Sequence, residues 1–191
     1  MSAGAARAST SSGLQSHFEL FGLSPAFRLD EEALENAYRE IQSRVHPDRF
    51  AHAGDAERRA SLQWTTRVNE AYRILKSPVQ RAKHILELHG VDVAFETDTQ
   101  MPTDFLMQQL ELREELERAV GKKDAAGLDH LRLSLRGSKA SLEKHIGEAI
   151  DGKQDYPGAA GLVRKLMFLD RLDAEVDAAY EEVSNGAAAD L

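Results

Sequence analysis

Residues 44–50 read Arg44-Val45-His46-Pro47-Asp48-Arg49-Phe50, and the reading of this stretch decides the fold. A helical pattern runs up to it and a second one begins shortly beyond. Upstream, Leu34, Ala37, Tyr38, Ile41 and Val45 recur at helical spacing and share one face. Pro47 has no backbone N–H to donate and pushes the residue before it away from helical geometry. The first helix therefore ends near His46, and Asp48 stands at the tip of a turn. Downstream, over residues 56–76, Trp64, Val68, Ala71, Tyr72 and Leu75 form a second apolar stripe. Two amphipathic helices joined by one loop pack antiparallel as a hairpin. Taken alone, His-Pro-Asp reads equally as a plain turn with a chance histidine in front. Its place between two such helices is what makes it a candidate site, because loop residues held on a rigid scaffold carry function more often than core residues do.

The pattern continues outward in both directions. Asp30 is placed to cap the first helix, with Glu31 and Glu32 in its first turn, where the helix dipole favours acids. Arg39, Gln42 and His46 fall on its outward face. Ahead of it, HFELFGL (17–23) offers one apolar helical turn, and residues 1–16 read as a polar tail without a secretory apolar segment. Ser77-Pro78-Val79-Gln80 is a helix start, and Gly90 is its stop. Residues 91–102 lack periodicity and read as a linker. Three longer helices follow, over 103–120, 123–151 and 157–184. The second carries Leu128, Leu131, Leu135, Leu142, Ile146 and Ala149 on one stripe, and the third carries Leu162, Leu166, Leu169, Val176, Tyr180 and Val183. The expected architecture is all-α: a helical hairpin in 17–76, a connecting helix and linker in 77–102, a three-helix bundle in 103–185 and a short tail in 186–191.

Composition removes several function classes. The chain of 191 residues has no cysteine, so thiolate metal sites, disulfides and cysteine nucleophiles are absent. It has no apolar run long enough to span a membrane. Its net charge of −8 sits in the second half, where residues 91–191 hold 12 basic and 21 acidic groups, which argues against nucleic acid as a partner. There is no glycine-rich phosphate loop, no HExxH and no G-x-S-x-G. His46 and His52 share a loop without a third ligand at suitable spacing. His84 and His89 lie near a helix end. Glu111, Glu114 and Glu115 are the kind of carboxylate run that usually forms a solvated face. Neither an enzyme active site nor a cofactor or metal site is expected.

The helix 103–120 is unusual. Advancing about 100° per residue from Phe105, the residues Leu112, Leu116 and Ala119 return to its side and make a core stripe. Leu106, Met107 and Leu110 point away from that stripe, among Glu111 and Glu114. In the third helix Phe168 also falls off its stripe. A bundle helix that buries two flanks would account for part of this. A surplus apolar patch ringed by charge otherwise has the character of a protein-binding surface, to which methionine lends adaptability.

Residues 17–76 resemble a J-domain, through HFELFGL, YREIQSRVHPDRF and VNEAYRIL. The remainder resembles the HscB family of iron–sulfur co-chaperones, through PVQRAKHILELHG (78–90), FLMQQLELREELE (105–117) and VRKLMFLDRL (163–172). The resemblance implies that the J-domain docks on the DnaK-class ATPase HscA, with His46, Pro47 and Asp48 stimulating hydrolysis and Arg39, Arg44 and Arg49 as supporting basic groups. It implies that the bundle holds the scaffold protein IscU through Leu106, Met107, Leu110, Glu111, Glu114 and Phe168. Arg118 stands where the family pattern leads one to expect an acid. The absence of a cysteine-rich module ahead of the J-domain points to a bacterial, cytoplasmic member. Two other readings remain: a general J-domain co-chaperone for misfolded clients, and a structural helical adaptor in which His-Pro-Asp is only a turn.

Overall fold

The computed structural model describes residues 16–45, 54–93 and 102–189, with side chains to Ser184. All the regular structure among these residues is helical. The expected tail, the His46-Pro47-Asp48 turn with Arg49 and His52, and most of the expected linker lie outside the described residues. By contact density the chain forms two units: residues up to Pro25 with Asp30–Leu75, and Ala26–Leu29 with Lys76 onward.

The first unit begins with one short helix, α1 (His17–Leu20), closed by a reciprocal cap. The Ser16 hydroxyl accepts from the Glu19 N–H at 3.2 Å, and the Glu19 carboxylate accepts from the Ser16 N–H at 3.0 Å. Gly22, at φ +67°, turns the chain out of it. α2 (Glu31–Val45) is capped as its sequence indicates, with the Asp30 carboxylate accepting from the Ala33 N–H at 3.0 Å. α3 (Asp55–Lys76) runs antiparallel to α2. That direction follows from the cross-contacts. Tyr38 stacks on Tyr72 with ring centroids 4.1 Å apart and donates to the Asn69 side chain at 3.0 Å, while Val45 meets Ser61 and Thr65.

Two expectations for this hairpin are corrected. Gln42 is half-buried rather than outward, because its amide donates to the Tyr38 hydroxyl at 3.1 Å and also to Asn69. Trp64 is exposed, with the Arg67 guanidinium over its ring. The buried positions of α3 are Ser61, Val68, Ala71 and Leu75, so the stripe is rotated toward a serine.

The second unit is built around α7 (Tyr156–Ala189), against which α4 (Pro78–Leu88), α5 (Thr103–Gly121) and α6 (Ala125–Gly147) all pack. Ser77 caps α4 and Gly90, at φ +71°, ends it, both as read from sequence. α4 was expected as a connector, and it lies on α7, with the His89 ring stacked on Tyr156 at 3.7 Å. The bundle core joins Phe105, Leu116 and Ala119 of α5 to Leu128, Leu131 and Leu135 of α6 and to Leu169, Leu172 and Val176 of α7. On its rim the Lys139 ammonium bridges Asp170 and Asp173, each at 2.8 Å, and Arg132 meets Asp177 at 2.7 Å beneath Tyr180. The helix expected over 123–151 becomes a π-helical turn at Glu148–Lys153, and α7 runs on to Ala189, into the stretch expected as a tail. The π turn carries Asp151, whose two carboxylate oxygens accept the backbone N–H groups of Phe27 and Arg28 at 2.7 and 2.9 Å. Phe27 is buried in this unit with Arg81 over its ring.

Candidate functional site

Two surfaces carry the candidate residues. On the hairpin, Arg39 and Arg44 are exposed on α2, one turn and a half apart. Each is tied to the glutamate four residues before it, Arg39 to Glu35 and Arg44 to Glu40. The hydrogen bond Arg39 donates to Glu35 raises its pKa above the ordinary value, so this guanidinium stays charged throughout. Pairs this exposed contribute little to stability. A carboxylate approaching either cation would have to compete with Glu35 or Glu40 for it. His46, Pro47, Asp48 and Arg49 lie outside the described residues, and the structure bears on them only through the end of α2 that leads into them.

That end holds a feature the amphipathic pattern passes over. The Ser61 hydroxyl, on a residue only 5% exposed, donates to the Val45 carbonyl at 2.7 Å, and the Thr65 hydroxyl donates to the same oxygen at 3.1 Å. The signal was present in sequence as two hydroxyls at i, i+4 on the core side of α3. Hydropathy alone treats them as outward residues.

The second surface lies on α5. Eight large apolar side chains are exposed among the described residues, and three of them, Leu106, Met107 and Leu110, fall within five positions of this one helix. Their exposures of 47, 55 and 53% mean that about half of each side chain is free to be covered. Glu111 and Glu114 are exposed beside them, and Arg118 is exposed one turn on. Phe105, Leu116 and Ala119 are buried beneath and Leu112 is partly buried, as the helical arithmetic requires. The patch is therefore real surface and not a second buried flank.

Phe168 is the correction. It is 6% exposed, a member of the bundle core, and meets Phe105 edge-on with centroids 5.8 Å apart. The Arg113 guanidinium lies over its ring at 5.8 Å and pairs with Glu175 at 3.4 Å. Its ring is covered, and it supports α5 from below. α7 is packed by three other helices, and a single-stripe reading cannot place a residue on such a helix.

Among the described residues, no three His, Asp or Glu side chains converge as a metal site would require. An open groove of about 480 Å³ beside Phe105, Leu133 and Leu142 has Lys165 as the sole titratable residue in its lining. No described helix is long and apolar enough to cross a membrane.

Residues 101–177 match the family model described as the HSCB C-terminal oligomerisation domain. A protein of Azoarcus sp. (strain BH72) named co-chaperone protein HscB homolog is 47% identical over 171 residues, covering 90% of this chain and 97% of that protein. Its namesake in Burkholderia mallei (strain SAVP1) is 48% identical over 170 residues, covering 89% and 97%. Among solved structures, the chaperone HscB from Vibrio cholerae is 33% identical with a TM-score of 0.77, covering 88% of this chain and 99% of its own. The human co-chaperone protein HscB shares the fold at a TM-score of 0.81 with 24% identity, covering 88% and 83%.

Proposed function

The chain belongs to the HscB family of co-chaperones, and from that premise we propose that it is an adaptor of iron–sulfur cluster assembly. One surface engages a DnaK-class ATPase of the HscA type, and the other holds the scaffold protein IscU. Asp48 offers a fixed anion to a basic group on the ATPase, a charge-assisted contact. His46 and Pro47 shape the loop around it, and Arg39, Arg44 and Arg49 meet an acidic surface. On the bundle, Leu106, Met107 and Leu110 bury apolar surface against the scaffold, and Glu111 and Glu114 set its orientation. Phe168 takes part from beneath, as the support of Phe105. The cytoplasm of a bacterium is the compartment proposed.

The observation that carries this reading is the α5 patch, because three large apolar side chains about half exposed lie together beside carboxylates, as a protein-binding surface does. The experiment is steady-state ATP hydrolysis by the HscA-type chaperone, with and without this protein, each with and without the scaffold. Joint stimulation above either alone is expected. Stimulation indifferent to the scaffold would indicate a J-domain co-chaperone of another client, and no stimulation would leave a structural adaptor.

A further inference from the structure

We infer that the scaffold's footprint extends past the α5 patch into the open groove beside Phe105, where Leu133, Gly137 and Lys165 receive an apolar side chain flanked by a carboxylate. The inference rests on the reading of the α5 patch as the scaffold-holding surface.

Patch and groove are two margins of one exposed arc. Leu106, Met107 and Gln108 are consecutive and all exposed. Successive residues of a helix stand about 100° apart, so these three sweep roughly 200° of α5 without a buried interruption. Leu106 belongs to the patch, and Gln108 already stands in the wall of the groove. The facing wall is α6, with Leu133 and Gly137, and Lys165 and Leu169 of α7 complete the lining. A partner seated on Leu106, Met107 and Leu110 therefore reaches the groove without leaving α5.

Three features suit the groove to that partner. Leu133 is 60% exposed, the most exposed large apolar side chain among the described residues. Gly137 stands inside α6, where glycine is destabilising relative to alanine, yet a Cβ there would meet nothing within 4 Å. Gly147, on the same helix, differs: its Cβ would lie 2.9 Å from Arg28 Nε, so packing there demands a glycine. An open glycine beside an exposed leucine lets a partner approach the α6 backbone closely. Lys165 holds its ammonium 5.3 Å from the centroid of the Phe105 ring. It is a cation in a half of the chain, residues 91–191, that holds 12 basic and 21 acidic groups. With Glu111 and Glu114 exposed on α5, the surface is acidic at one margin and basic at the other. That pattern fixes the direction in which a segment of opposite pattern lies across it.

The experiment is calorimetric titration of the full-length protein with the scaffold IscU, with urea unfolding of the same preparations. Leu133→Ala removes a side chain that is 60% exposed and should weaken binding about eightfold. Gly137→Leu fills the groove and should weaken binding about tenfold or more, without lowering the urea midpoint, since leucine is the better helix former. Lys165→Met should weaken it up to about fivefold at low salt, a difference that closes as salt rises toward roughly 1 M. Leu62→Ala, a control leucine 59% exposed on α3, should bind as the wild type does. Wild-type affinity in Leu133→Ala and Gly137→Leu, while Leu106→Ala with Leu110→Ala still loses affinity, would overturn the inference and leave the patch standing. Wild-type affinity in all of these would remove the patch reading, and the inference with it. A Gly137→Leu protein that binds with unchanged dissociation constant and reduced stoichiometry has only lost folded fraction, and that result counts against the groove. So does a loss in Leu62→Ala equal to that in Leu133→Ala.

Discussion

Replacing both Leu106 and Leu110 by alanine separates binding from folding. The two side chains are 47 and 53% exposed, so together they leave about one whole leucine to be covered by a partner. Full burial of a leucine is worth roughly 2 kcal/mol, which corresponds to about thirtyfold in dissociation constant. The cost to the fold is smaller. No cavity opens at an exposed site, and alanine is the better helix former, so the bundle should lose less than about 1.5 kcal/mol. The internal control is Leu131→Ala, a fully buried side chain in the same core, expected to cost about 3–5 kcal/mol. The assays are calorimetric titration against the scaffold and urea unfolding of the same preparations. Unchanged scaffold affinity would refute the patch as a docking surface. Destabilisation as large as that of Leu131→Ala would refute the reasoning at an earlier step, because it would mean that the two leucines are core.

Asp48→Asn should abolish stimulation of the ATPase; a stimulated rate equal to wild type would contradict it. Lys139→Met removes the cation between Asp170 and Asp173 and should destabilise the bundle by about 2–3 kcal/mol, less than a fully buried pair because Asp170 is half exposed. Burial acts to lower the Lys139 pKa, but its bonds to Asp170 and Asp173 outweigh it and hold the pKa above the ordinary 10.5. The stabilisation is thus complete below about pH 10.5 and lost as pH rises through the higher folded value, so the alkaline fall in stability should be shallower in the variant. An identical alkaline limb in the two proteins would show that the pair is not the source. Asp151→Ala leaves the N–H groups of Phe27 and Arg28 without their carboxylate, and the exchange protection of those two amides should fall by at least about tenfold; protection equal to wild type would mean that the carboxylate does not hold this segment.

What sequence determined by itself is what a single helix can know. Caps at Asp30 and Ser77, the stop at Gly90, and the division of α5 into a core stripe and an exposed patch depend only on neighbours within about one turn. Helical arithmetic suffices there, because a helix buried on one side has one inside and one outside. Tertiary structure decided the rest. α7 is enclosed by α4, α5 and α6, so no single stripe describes it, and Phe168 is core despite lying off the stripe of Leu162 and Leu166. Ser61 displaces Trp64 from the buried face of α3 because a carbonyl on another helix accepts its hydroxyl, and Gln42 turns inward because Asn69 and Tyr38 receive its amide. Asp151 rides on a π turn to reach two amides more than a hundred residues away in the chain. In each case hydropathy places the polar residue outside, and a partner distant in sequence brings it in, since burial of a polar group is decided by whether its hydrogen bond is made.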